Sequence, residues 1–192
     1  MVRIPKREEI LTIPNAITAV GGVLTWEGSN NIEEPSGLAK VVIGRSLDAL
    51  DGVVARGTGQ TSDFGALFDA GTDKILTSKI LIEMWRKNAA PKSYLATLAL
   101  VHSANAGATL CANLNNENES TRPTKSGKYA LAIETVSLAA YAGACAAEHS
   151  GKSELAKTLR KIGYSAAVAS LPFATHASFK YIGRIRKNSD QK

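Results

Sequence analysis

From Ser93 to Asn116 the chain carries no Asp, Glu, Lys or Arg. At about 1.5 Å per residue, a helix of that length reaches across a bilayer core of roughly 30 Å. Comparable apolar runs extend over Ile10 to Trp26, Phe64 to Trp85, Tyr129 to Ala147 and Ile162 to Ile182, with a mixed segment from Gly37 to Arg56. Each is long enough for several helical turns. None shows the sustained alternation of a strand, and the β-branched residues fall inside helix-length runs, so the chain reads as all-α. Ala, Ser and Gly are frequent in these runs, which lets helix backbones approach closely. On residues alone, a membrane bundle and a soluble Ala-rich bundle both remain open, and Ser93 to Asn116 is the strongest candidate span.

A length of 192 residues suits one domain, 1–192, or two very small ones. A hydrophobic fraction of 44% against 21% charged residues excludes wholesale disorder and collagen-like repeats. Two cysteines give no disulfide framework, and three widely spaced histidines match no zinc-ligand spacing. Glu134, in the fifth run, reads as a helix-end charge or as the partner of a Lys or Arg across the bundle. If the six runs all span, the basic residues are in slight excess on the side that holds both termini, which places the termini in the cytoplasm.

The chemistry concentrates between Ser46 and Lys74. Asp48 and Asp51 lie one turn apart on one helix face, and Asp69 and Asp73 lie one turn apart on the next helix. A tight polar turn separates the pairs, so a helical hairpin can bring four carboxylates together. Like charges at that range repel, and a divalent cation relieves the repulsion. Hard oxygen ligands suit Mg²⁺ or Mn²⁺, which keep coordination positions for phosphate oxygens, so the implied substrate is a diphosphate or nucleotide. Gly52, Gly65 and Ala55 leave gaps beside the acids, and Arg56 offers a planar fork of donors. A solvated acidic face is the bland alternative. It suits any one Asp better than it suits all four, each placed in an otherwise apolar segment.

The pattern Asp48-x2-Asp51-Gly52-x2-Ala55-Arg56-x8-Gly65-x3-Asp69-x3-Asp73 resembles, at all eight fixed positions over 26 residues, the signature of the CDP-alcohol phosphatidyltransferase family. Ile13-Pro14-Asn15-Ala16-Ile17-Thr18 is similar to the family's opening before its first span. Gly127-Lys128 is similar to the Gly-Lys after the fourth span of phosphatidylglycerophosphate synthases. The resemblance implies a six-transmembrane-helix bundle in the cytoplasmic membrane with its active site at the cytoplasmic side. It implies transfer of a phosphatidyl group from CDP-diacylglycerol to an alcohol, with release of CMP.

Carried over by motif position, Asp48, Asp51, Asp69 and Asp73 would hold the metal, two divalent ions (Mg²⁺ or Mn²⁺) being expected, with Asp73 also the general base. Gly52, Ala55, Arg56 and Gly65 would contact the nucleotide, and Asn15 either joins them or caps the first helix. Arg122, Lys125 and Lys128, in a loop expected on the same side, could bind a phosphorylated acceptor or simply meet lipid headgroups. Glycerol 3-phosphate is the expected acceptor; inositol phosphate or another polyol is the alternative. A soluble Mg²⁺-dependent prenyl-diphosphate enzyme and a non-catalytic helical membrane protein are the remaining readings. A homodimer is expected, and no nucleic-acid partner.

Overall fold

The computed structural model describes residues 10–115 and 124–189. Six helices and no strand occur among the described residues: α1 (Ile13–Asn30), α2 (Pro35–Thr58), α3 (Asp63–Arg86), α4 (Lys92–Asn115), α5 (Lys125–His149) and α6 (Ser153–Ser189). They fall into two compact units. One draws on Met1–Lys87 and Cys145–Gly151, the other on Asn88–Ala144 and Lys152–Lys192.

In the first unit α1 packs against both α2 and α3. Thr12 caps α1, its hydroxyl accepting from the Asn15 backbone N–H at 3.3 Å, and Pro14 stands in the first turn, where its missing N–H costs nothing. The helix runs on through Glu27-Gly-Ser-Asn30, beyond the apolar run that ends at Trp26. Ser29 returns its hydroxyl to the Trp26 carbonyl at 2.8 Å, and Gly28 lies against the backbone of α2.

That contact explains the glycines. A Cβ on Gly44 would stand 2.3 Å from Thr25 Oγ1 and 2.5 Å from the Gly21 carbonyl oxygen, and one on Gly28 would stand 2.5 Å from the Gly37 carbonyl oxygen. Only hydrogen fits between the two backbones there. The loop between the helices is tied by Lys87, which donates to Glu33. Burial by itself would push the Glu33 carboxyl up, but the Lys87 hydrogen bond, a backbone hydrogen bond and nearby positive charge outweigh it and hold the group below its ordinary range.

In the second unit α4 packs against α6. Thr124 caps α5, accepting from the Gly127 N–H at 3.0 Å. The Tyr141 ring of α5 lies over Gly163 of α6, where a Cβ would come within 3.0 Å of it, and Ser137 donates to the Gly163 carbonyl at 2.7 Å. Glu134 is not a helix-end charge. It sits inside α5, 3% exposed, and its partner is His102 Nε2 of α4 at 2.9 Å, rather than a Lys or Arg.

Among the described residues, only α5 is long and apolar enough to cross a membrane by length and composition. The expected span Ser93–Asn116 forms most of α4 and runs past the described residues.

Gly44→Ala is expected to cost about 1–3 kcal/mol through overpacking against backbone that cannot yield. Gly57→Ala, with nothing within 4 Å of its added methyl, should instead stabilise by up to about 1 kcal/mol; thermal unfolding of both variants in detergent checks the pair. The Glu33 contribution has a definite sign, because a carboxyl held low stabilises the fold above its unfolded pKa and loses that effect as pH falls through the lower folded value. The unfolding temperature of the wild type should therefore fall more steeply than that of Glu33→Gln as the buffer is taken from pH 6 to below the ordinary Glu range.

Candidate functional site

The α2–α3 connection sets the geometry. Gly59 ends α2 at φ +70°, a left-handed conformation suited to glycine, and its N–H bonds the Ala55 carbonyl. Ser62 caps α3 by accepting from the Gly65 N–H at 3.0 Å. The short turn between them brings side chains of α2 and α3 together. It also reaches α1, because Gln60 Oε1 accepts from the Ile13 N–H at 3.1 Å, satisfying one of the open donors of that helix start.

Carboxylate oxygens of Asp48, Asp51 and Asp69 all lie within 4.8 Å of one another. Asp51 is buried and the other two are partly covered. Asp51 Oδ2 accepts from the Thr18 hydroxyl of α1, which is 2% exposed. Asp48 Oδ1 is buried with no hydrogen-bond partner among the described residues. Three hard oxygen donors converging from two helices, one of them carrying an orphaned oxygen, suit a divalent cation such as Mg²⁺ or Mn²⁺. The donor set fits such an ion.

The fourth acid is placed differently. Asp73 does not join the converging group; its Oδ1 accepts from Arg45 Nη2 at 2.5 Å. Arg45 Nη1 lies 3.3 Å from Asp48 Oδ2, within ion-pair range, although it makes no hydrogen bond of acceptable geometry. Arg45 thus bridges one acid of each pair.

The expected nucleotide-contacting residues cluster around the same turn. A Cβ on Gly52 would stand 3.4 Å from Arg56 Nη1, so the guanidinium lies over the bare face of that glycine. A Cβ on Gly65 would meet Asn15 Oδ1 and Ser62 Oγ, each at 3.1 Å. Asn15 is 8% exposed and donates from Nδ2 to the Ile10 carbonyl at 2.9 Å. The cap of α1 is Thr12, so Asn15 is not the capping residue. Ala55 is half-buried on α2 between Gly52 and Arg56. Lys125 and Lys128 stand exposed in the first turn of α5, in the other unit, and Arg122 lies outside the described residues.

The structure adds two residues to this site, Thr18 and Arg45. Thr18 belongs to the opening hexapeptide, but nothing in its spacing ties it to an Asp far along the chain. Arg45 stands three residues before Asp48, and that spacing is a signal for the ion pair.

The profile of the family described as CDP-alcohol phosphatidyltransferase matches residues 11–173. Among curated proteins, an archaetidylinositol phosphate synthase of Pyrococcus horikoshii is 37% identical over 71 residues, covering 35% of this chain and 38% of the relative. No solved structure matches the chain significantly.

Thr18→Val removes the one described donor to Asp51 and leaves a buried carboxylate oxygen unpaired. It is expected to destabilise the metal-free protein by about 1–3 kcal/mol, whereas Thr18→Ser should stay close to wild type; unfolding in EDTA measures both.

Proposed function

The chain belongs to the CDP-alcohol phosphatidyltransferase family, and from that premise we propose that it transfers the phosphate-bearing lipid group of a CDP-linked lipid to the hydroxyl of a phosphorylated polyol, releasing CMP. The observation that carries the reading is the convergence of Asp48, Asp51 and Asp69 next to Gly52, against which the Arg56 guanidinium lies. Both units are read as one domain, since the family match runs through each of them.

Asp48, Asp51 and Asp69 would hold divalent metal, with Asp73 completing the set. Bound there, Mg²⁺ or Mn²⁺ neutralises charge on the diphosphate and makes the phosphorus more electrophilic. The protein's own groups do the rest. Arg56 supplies a donor fork to the nucleotide phosphates, and the absence of side chains at Gly52 and Gly65 makes room for Arg56 and Asn15 to reach the nucleotide from beside the helix backbone. Asn15, buried against Gly65, offers an amide edge to the nucleotide. Asp73 accepts the proton of the acceptor hydroxyl as that oxygen attacks the phosphorus carrying the lipid; the P–O bond to CMP breaks, and CMP leaves with the electron pair. Positioning of this kind can supply about 7–11 kcal/mol of barrier reduction.

Lys125 and Lys128, with Arg122, are read as the cations that hold the acceptor's phosphate. The name of the Pyrococcus relative favours inositol phosphate over glycerol 3-phosphate, and an archaetidyl as well as a phosphatidyl donor. The enzyme is read as integral to the cytoplasmic membrane, with six spanning helices and with termini and site cytoplasmic. Its outward faces support that reading: Leu67, Leu100 and Phe179 are 73%, 72% and 74% exposed, and Val20, Val42, Ile75 and Leu131 are also uncovered, a degree of apolar exposure that suits lipid better than water. The small-residue helix faces are compatible with a homodimer.

Purified protein in detergent should release CMP only when a CDP-linked lipid, a polyol phosphate and Mg²⁺ or Mn²⁺ are all present, with inositol phosphate the best acceptor, as read from the lipid product. Asp73→Asn should fold and lose at least about 10²-fold in turnover. Absence of metal-dependent CMP release with every polyol and polyol phosphate tried would overturn the assignment.

A further inference from the structure

We infer that Arg45 is a resident cation of the acidic site, which divalent metal must displace before Asp73 can join the other three acids. The inference rests on the reading of those acids as metal ligands. Arg45 spans the two acid pairs: Nη2 is 2.5 Å from Asp73 Oδ1 on α3, and Nη1 is 3.3 Å from Asp48 Oδ2 on its own helix. The acid that Arg45 grips most closely is the one that stands apart from the three converging carboxylates.

The grip is incomplete. Nη1 and Asp48 Oδ1 are both buried without a hydrogen-bond partner among the described residues, although they belong to side chains already in ion-pair contact. Unsatisfied buried polar atoms of opposite charge mark an arrangement with unused interaction energy, which a second state can draw on. The Arg45 side chain as a whole is 34% exposed and that of Asp73 is 42% exposed, so the arm can leave without repacking a core.

Arg45 and a divalent ion would carry positive charge against the same two carboxylates, and binding of one opposes binding of the other. By linkage, removing the resident cation raises affinity for the incoming one. Lys at this position would keep the charge but lose the planar fork that reaches two carboxylates at once.

The test is Mn²⁺ titration of full-length protein in detergent, read as free Mn²⁺ by electron paramagnetic resonance, for wild type, Arg45→Gln, Arg45→Lys and Asp69→Asn. Arg45→Gln should bind Mn²⁺ about five- to tenfold more tightly, in the ordinary range for coupling between sites. It should unfold at lower temperature in EDTA and gain more from Mn²⁺ than wild type does, with Arg45→Lys between the two. A purely structural Arg45 predicts the same loss of stability with Mn²⁺ affinity unchanged or weakened, and that result overturns the inference while leaving the metal site standing. If wild type shows no saturable Mn²⁺ binding that Asp69→Asn removes, the metal reading falls and takes this inference with it. A wild-type measurement guards against a variant that does not fold: phenylglyoxal modification of Arg45, followed by mass spectrometry, should be faster with Mn²⁺ than with EDTA. Equal or slower modification overturns the displacement.

Discussion

Mutual repulsion of carboxylates is the constraint around which the first unit is arranged. Charges of one sign about 4 Å apart cost on the order of 4 kcal/mol at an effective dielectric near 20, and the oxygens of Asp48, Asp51 and Asp69 lie within 4.8 Å of one another. A hairpin that gathers them must be held shut by other forces. One is the short α2–α3 turn, closed by Gly59 and capped by Ser62. Another is local compensation, from the Thr18 hydroxyl on Asp51 and from Arg45 between Asp48 and Asp73. Neither would serve unless α1 stood very close to α2.

That closeness links packing to chemistry. Thr18 and Gly21 lie one turn apart on α1, and Gly44 and Asp48 lie one turn apart on α2. A Cβ on Gly21 would stand 2.8 Å from the Gly44 carbonyl oxygen and 3.5 Å from the Asp48 backbone nitrogen. The glycine seam therefore ends at the acids, and the same stripe that brings the backbones together delivers the Thr18 hydroxyl to Asp51. A larger residue at Gly21 or Gly44 would move the hydroxyl away as well as crowd the helices. This gives the glycines a role that ordinary helix propensity, which disfavours them, cannot explain.

The sequence carries the helices and the acids more legibly than it carries their partners. Apolar runs located α3 and α4 nearly to the residue, because Ser62 and the turns around Asn88 to Pro91 interrupt them sharply. The end of α1 is not legible, because Glu27-Gly-Ser-Asn30 has the composition of a loop and Gly28 meets Gly37 in a tertiary contact that leaves no local trace. The acidic quartet was visible through its i, i+3 and i, i+4 spacing. Separation of Asp73 from the other three was not visible, since it depends on which carboxylate Arg45 chooses. Glu134 stands beyond local pattern too, for its partner His102 comes from a neighbouring helix.

The mixture of charges says what kind of ligand the site suits. A pocket for a cation alone has no use for Arg56 laid over Gly52, and a pocket for an anion alone would not gather three carboxylates from two helices. Four acids against Arg45 and Arg56 leave the surroundings negative, which would repel a diphosphate approaching unaided. Divalent charge reverses that sign locally, and guanidinium donors then add direction to the attraction. Acids and arginines interleaved along one helical hairpin are therefore the pattern expected where a cation bridges protein and phosphate, and Gly52 leaves the space in which the Arg56 guanidinium lies.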